Sequence, residues 1–134
     1  MRQRKQAAVS SKKHRILLVD DVVDNLLMLK AFLELEGYVI DTAESGSVAL
    51  EKMRLSPPDL VLLDVMMPGM DGYAVTRAIR RSDTLRTVPI VLITAHIEAC
   101  RIKGLAVGAT DFVRKPIILE ELLANIQRLL AFRG

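Results

Sequence analysis

The alternation of short apolar runs with longer amphipathic segments is the feature that most constrains the fold of this chain. Three runs contain no polar residue, are rich in branched side chains and are too short for helices: residues 16–19, 60–63 and 90–93. Such runs are typical of strands covered on both faces, as in a parallel sheet. Two weaker runs, 38–42 and 110–113, bring the predicted number of strands to five.

A segment with helical spacing follows each predicted strand. Gly37 and Pro57-Pro58 mark the ends of the first two helices, Asp71 is a candidate cap for the third, and residues 97–107 form the fourth. The apolar positions of the first, second, third and last helices are Val22, Leu26, Leu29, Leu33; Val48, Leu50, Met53, Leu55; Val75, Ala78, Ile79; and Leu119, Leu122, Leu123, Ile126, Leu130. Five β-then-α units predict a doubly wound, three-layer α/β fold with a five-stranded parallel sheet.

Composition sets the expected environment. No apolar run approaches the roughly 20 residues that span a bilayer, and the polar N-terminus lacks the apolar centre of a secretory signal. The single cysteine, Cys100, rules out an internal disulfide and fits a reducing compartment. We therefore expect a cytoplasmic protein without membrane contact.

The charge is unevenly distributed. Six of the 19 basic residues and none of the acidic ones precede Ile16, which leaves 13 basic and 16 acidic residues in the remainder. We predict a basic, flexible leader or linker over residues 1–14 and one folded domain over 15–134. Such a leader could touch nucleic acid, but no second domain supports direct DNA binding.

Polar residues follow four of the predicted strands. Asp20-Asp21 ends the first strand, Asp64 the third and Thr94 the fourth, and the fifth leads into Lys115-Pro116. In open α/β sheets, ligands bind beyond the carboxyl ends of the strands, so these side chains are expected to converge. Each taken singly has an ordinary alternative. Asp20 and Asp21 could be turn and helix-cap residues, and Asp64 could merely end a strand above the Met67-Pro68-Gly69 turn. Thr94 could bond to the backbone, and Lys115 could be an exposed charge.

Taken together, these residues predict phosphoryl chemistry. Three carboxylates in one pocket repel one another unless a cation joins them, and Mg²⁺ is a hard ion that takes oxygen ligands and bridges to phosphate. A carboxylate beside such a metal can act as a nucleophile toward phosphorus. Thr94 and Lys115 supply a hydroxyl and an ammonium for the transferring oxygens.

Four stretches carry a family resemblance. They are Ile16-Leu17-Leu18-Val19-Asp20-Asp21, Asp64-Val65-Met66-Met67-Pro68-Gly69-Met70-Asp71-Gly72, Ile93-Thr94-Ala95, and Gly108-Ala109-Thr110-Asp111-Phe112-Val113-Arg114-Lys115-Pro116. In combination, over residues 15–130, they resemble the receiver domains of two-component response regulators. The resemblance implies a flavodoxin-like sheet with strand order 2-1-3-4-5.

The resemblance also implies roles by position. Asp64 is the expected phospho-acceptor, Asp21 a direct ligand of Mg²⁺ (or Mn²⁺) and Asp20 a ligand through water. The backbone carbonyl of Met66 is a further expected ligand, and Thr94 and Lys115 contact the phosphoryl oxygens. The switch pair is expected to be Thr94 and Phe112, and the lifetime of the phosphoryl group is expected to depend on Met66 and His96.

The family's partners follow from the same resemblance. The expected donor is a sensor histidine kinase or a phosphotransfer protein, and the expected output is a downstream protein or linked domain bound through the fourth helix, fifth strand and fifth helix. The family also allows a homodimer. The chain is thus expected to be a cytoplasmic signalling phosphoprotein rather than a turnover enzyme.

Two other functions use the same residues. A stand-alone phosphatase or hydrolase would use Asp64 as nucleophile, but it would need a substrate cap or an additional general acid, for which no insertion is present, and no Gly-rich phosphate loop occurs. A protein-interaction module with an inert acidic pocket remains the main alternative, and phosphoryl transfer from a small donor separates it from a working receiver.

Overall fold

A computed structural model of the chain describes residues 13–131, so nearly all of the predicted leader lies outside the described residues. Five strands alternate with five helices along the chain. In order they are β1 (Arg15–Val19), α1 (Val23–Leu35), β2 (Val39–Ala43), α2 (Gly46–Leu55), β3 (Leu60–Asp64), α3 (Gly72–Arg80), β4 (Ile90–Thr94), α4 (Ile97–Val107), β5 (Asp111–Arg114) and α5 (Leu119–Ala131).

The strands form one parallel sheet in the order β2-β1-β3-β4-β5, which confirms the predicted architecture and strand order. In this register Val19 lies opposite Leu63, and Asp64 lies opposite Ile93. The residues that directly follow β1, β3 and β4 are therefore brought to the same edge of the sheet.

Both faces of the sheet are covered by apolar packing, as the uninterrupted runs predict. Alternate strand residues such as Leu17, Leu63 and Leu92 belong to a core that also contains α2, α3 and α4 side chains. The intervening residues, such as Ile16 and Leu62, belong to a second core with α1 and α5. β3 and β4 are buried at every position, because they lie in the middle of the sheet between both helical layers.

The helix ends explain several local features of the sequence. Asp71 caps α3, as predicted, because its side chain accepts a hydrogen bond from the backbone N–H of Ala74 at 2.9 Å. Gly37 follows α1 with a φ of 96°, a conformation that glycine adopts without strain. Val22 does not join the buried stripe of α1, since it is the exposed residue that precedes the helix.

Two further details bear on the predictions. In α2 the buried positions are Gly46, Ala49 and Met53, while Val48 and Leu55 from the predicted apolar series are exposed.

No helix within residues 13–131 has the length and apolar character needed to cross a membrane.

Candidate acidic site at the carboxyl edge of the sheet

Asp20, Asp64 and Lys115 meet at the carboxyl edge of the sheet, as their positions after β1, at the end of β3 and after β5 predict. Lys115 Nζ lies 3.0 Å from Asp64 Oδ1. The Asp64 side chain is only 5% exposed and that of Lys115 34%, so the ammonium reaches a nearly buried carboxylate from the surface. Lys115 is held in place from its backbone, because its N–H donates to the carbonyl of Thr94 at 2.8 Å.

The surroundings of Asp64 oppose its ionisation. Burial is the largest influence and raises the pKa of Asp64 above its usual value. The hydrogen bond and charge of Lys115 lower that pKa, the neighbouring charge of Asp20 raises it, and the N–H of Met66, 3.4 Å from Oδ1, lowers it. The net direction is upward, so the single ammonium does not fully compensate for the burial of this carboxylate.

Three carboxylates form a cluster suited to a metal ion. One oxygen each from Asp20, Asp21 and Asp64 lie within 4.8 Å of one another, with Asp20 and Asp64 buried and Asp21 exposed. Four ion pairs are found within residues 13–131, and the one that includes a member of this cluster is that of Lys115 with Asp64. One cation thus faces three negative groups. An all-oxygen donor set with surplus negative charge fits a hard divalent cation such as Mg²⁺.

Asp20 is held by two hydrogen bonds. Its Oδ1 accepts from the backbone N–H of Val22 at 2.9 Å, and its Oδ2 accepts from the Asn25 side-chain amide at 3.1 Å. The first bond, to the backbone two residues later, is the turn role given above as the ordinary alternative to metal binding for Asp20. The bond from Asn25 was not predicted, and an asparagine in the first turn of the helix after an Asp-Asp pair is the signal that points to it.

Thr94 is at the predicted edge but bonds to the backbone. Its buried Oγ1 accepts a hydrogen bond from the N–H of His96 at 2.9 Å, the ordinary alternative for a strand-end threonine. The two residues expected to affect phosphoryl lifetime, Met66 and His96, are both exposed, and Met66 is 66% exposed. Their roles, and the ligation by the Met66 carbonyl, stay predictions.

Phe112 lies on β5, partly buried against the core beneath α4. A methyl group added to Gly104 of α4 would overlap the Phe112 ring and would approach Leu92 Cδ1 to 3.0 Å. The ring therefore occupies space that the missing side chain of Gly104 leaves open. The ring packs against the core while the residue stays partly exposed, and the predicted switch role of Phe112 requires a second position.

The fold and site together define a class: a five-stranded parallel α/β domain with an acidic cluster and a paired lysine at the carboxyl edge. The family model for the response regulator receiver domain matches residues 16–127. The chain belongs to this family, which confirms the resemblance seen in the sequence.

Individual relatives agree with this membership. The chain is 46% identical over 120 residues to response regulator PleD of Caulobacter vibrioides, a match that covers 89% of this chain and 26% of PleD. It is similar in structure to chemotaxis protein CheY4 of Vibrio cholerae, with a TM-score of 0.84, 33% identity and coverage of 88% and 99%. The chain thus spans about a quarter of PleD and most of CheY4.

A third relative carries a metal. The receiver domain of sensor histidine kinase PA1611 from Pseudomonas aeruginosa has a TM-score of 0.82 and 32% identity to this chain, with coverage of 90% and 99%. Its structure has a magnesium ion coordinated in the active-site cleft.

Proposed function

We propose that this receiver domain accepts a phosphoryl group on Asp64 from the phosphohistidine of a sensor kinase or phosphotransfer protein. The observation that carries the proposal is the nearly buried Asp64 carboxylate, 3.0 Å from Lys115 and clustered with two further aspartates. An Asp64 oxygen attacks phosphorus, the P–N bond to the donor imidazole breaks with its electron pair on nitrogen, and the imidazole then takes up a proton.

Mg²⁺ would be held by Asp21 and Asp64 directly, by Asp20 through water and by the Met66 carbonyl, with Mn²⁺ able to substitute. When bound, it supplies positive charge that offsets the charge of the carboxylates and of the transferring oxygens. The PA1611 receiver supports this assignment, since its cleft holds magnesium and its fold is similar.

Lys115 and Thr94 act on the phosphoryl oxygens. Lys115 already contacts Asp64, so its ammonium lies where negative charge increases when the acyl phosphate forms. Thr94 Oγ1 accepts from the N–H of His96, so the Thr94 O–H can still donate to a phosphoryl oxygen. The exposed side chains of Met66 and His96 set how readily water reaches the acyl phosphate.

Phosphorylation replaces the single negative charge of the Asp64 carboxylate with the nearly two charges of an acyl phosphate, and the response passes to the α4-β5-α5 surface. The Thr94 hydroxyl moves toward the phosphoryl group, and Phe112 moves into the space behind it. The changed surface binds a downstream protein or a linked output domain, or a second copy of the chain.

The test is phosphorylation by a small donor. Purified protein is incubated with acetyl phosphate and Mg²⁺, and intact mass is recorded for wild type, Asp64→Asn and the exposed-aspartate control Asp83→Asn. We expect one added phosphoryl group in wild type and Asp83→Asn, and none in Asp64→Asn or in EDTA.

A wild-type protein that gains no phosphoryl group and binds no beryllofluoride would favour the inert interaction module. Beryllofluoride binding without phosphorylation would instead indicate that the pocket works but requires its own protein donor. Phosphorylation retained in Asp64→Asn would contradict the assignment of the acceptor.

A further inference from the structure

Asn25, the third residue of α1, is the polar neighbour of the acidic cluster to which the proposed function gives no role. Its side-chain amide donates to Asp20 Oδ2 at 3.1 Å. It also lines an open groove beside the cluster, together with Met28, Lys115 and Ile117. Asn25 therefore bonds to Asp20 of the acidic cluster and also lines the groove next to that cluster.

The bond from Asn25 completes the restraint on Asp20. With Val22 N–H bound to Oδ1 and Asn25 bound to Oδ2, each carboxylate oxygen has one donor, and rotation of the carboxylate breaks one of the two bonds. Each oxygen still has unused lone-pair capacity, because an ionised carboxylate accepts about four hydrogen bonds in total. Asp20 is thus fixed in orientation while remaining able to accept from further donors such as water.

Asp21 contrasts with its neighbour. It is exposed, whereas Asp20 is buried, so the two acids of the pair are differently constrained before any cation binds. A cation that binds both gains most when at least one of them is already oriented, because less side-chain freedom is then lost on binding.

We propose that Asn25 is a positioning residue that acts through Asp20 and raises the affinity of the acidic cluster for a divalent cation. The inference rests on the proposed function, in which Asp20 contributes to the Mg²⁺ site. Hydrogen-bond partners of metal-binding carboxylates commonly change metal affinity 10- to 100-fold when they are removed. For Asn25 we expect the lower end of this range, because Asp20 binds the cation through water and keeps its bond from Val22.

The experiment measures metal binding apart from phosphorylation. Mn²⁺ is titrated into wild type, Asn25→Ala and Asn25→Gln, and free Mn²⁺ is read from its EPR signal. The control is Asn125→Ala, which removes the chain's other asparagine from α5. Urea unfolding in EDTA measures folding separately, and the rate of phosphorylation by acetyl phosphate is recorded against Mg²⁺ concentration.

We expect Asn25→Ala to bind Mn²⁺ about tenfold more weakly, Asn25→Gln to recover part of the loss, and Asn125→Ala to match wild type. In phosphorylation, Asn25→Ala should need about tenfold more Mg²⁺ for half-saturation and should keep the plateau rate. Loss of folding alone would not produce this separation.

Mn²⁺ affinity of Asn25→Ala within twofold of wild type would overturn the inference, as would an equal loss in Asn125→Ala. A wild-type protein that binds no Mn²⁺ would also overturn it, since Asp20 would then have no cation to serve. Mn²⁺ binding with the expected loss in Asn25→Ala, but with neither phosphorylation nor beryllofluoride binding in the wild-type protein, would uphold the inference and contradict the proposed function instead.

Discussion

Asp64 is the residue of the acidic cluster whose carboxyl group the fold makes harder to ionise. Burial raises the pKa of its carboxyl group, and Lys115 only partly reverses that effect. An acid with a higher pKa in the folded than in the unfolded state stabilises the fold at low pH and loses that contribution as the pH rises through the folded value. In the absence of a divalent cation, the ionised Asp64 is therefore a source of instability at neutral pH.

Asp64→Asn is accordingly expected to stabilise the metal-free protein at pH 7. The variant has a neutral side chain of nearly the same shape, so the gain should be on the order of 1 kcal/mol in the free energy of unfolding. It should disappear near pH 3, where the wild-type carboxyl group is also protonated. Urea unfolding followed by circular dichroism at pH 3, 5 and 7 in EDTA measures this. A gain that is equal at all three values, or equal in Asp83→Asn, would contradict it.

The sequence predicts where the charged residues of the site lie better than it predicts their bonds. Asp20, Asp64 and Lys115 converge because parallel strands present their carboxyl ends at one edge, and strand position can be read from apolar runs. The bonds of Thr94 to His96 and of Asn25 to Asp20 depend on loop and helix-start geometry. A single Thr or Asn carries no periodic pattern. The sequence offers only the place of Asn25 after the Asp-Asp pair, and a backbone bond as the ordinary alternative for Thr94, and neither signal fixes the atoms that bond.

Between elements, the contact of β5 with α4 depends on the absence of a side chain. The Phe112 ring lies where a methyl group on Gly104 would be, so its inward position requires glycine there. Glycine otherwise weakens a helix interior by about 1 kcal/mol relative to alanine. The helix α4 thus accepts a less favourable residue at the position that packs against the predicted switch aromatic.

We expect Gly104→Ala to destabilise the protein by about 1 kcal/mol, since overpacking costs roughly 1–3 kcal/mol and better helix propensity returns about 1 kcal/mol. In the Phe112→Ala background the clash with the ring is removed and only the closer contact with the flexible end of Leu92 remains, so the same substitution should be close to neutral. A double-mutant cycle by urea unfolding measures the difference. Equal effects of Gly104→Ala in both backgrounds would show that the two residues are not coupled.

The strands and helices differ in how well the sequence predicts them. The buried runs of β1, β3 and β4 are unambiguous, because both faces of the sheet are covered and no polar residue interrupts them. The inward face of α2 is ambiguous in the sequence, because small residues such as Gly46 and Ala49 form it while Val48 is exposed. A methyl group added to Gly46 would lie 2.6 Å from Val75 Cγ2 of α3, so close packing favours a small residue there. A pattern based on large apolar residues misses such positions.

Across the whole molecule, local patterns predict the layers but not the order of the strands. The alternation of strand and helix requires a parallel sheet with covered faces, and both cores are present. The order β2-β1-β3-β4-β5 depends on which crossover passes over which face, and several orders satisfy the same periodicity. In this chain the order could be predicted only through the family resemblance.

This topology brings the ends of distant strands together and concentrates negative charge, so folding and divalent-cation binding should be linked. A cation that binds the folded protein alone stabilises it by about 2.7 kcal/mol when its free concentration is a hundredfold above Kd. For a domain of this size we expect Mg²⁺ to raise Tm by roughly 10 °C. Asp21→Asn, which removes one carboxylate of the cluster, should reduce that rise, and Asp83→Asn should retain it. Thermal unfolding at constant ionic strength measures both; an equal rise with NaCl alone, or in Asp21→Asn, would mean that the stabilisation comes from screening rather than from this cluster.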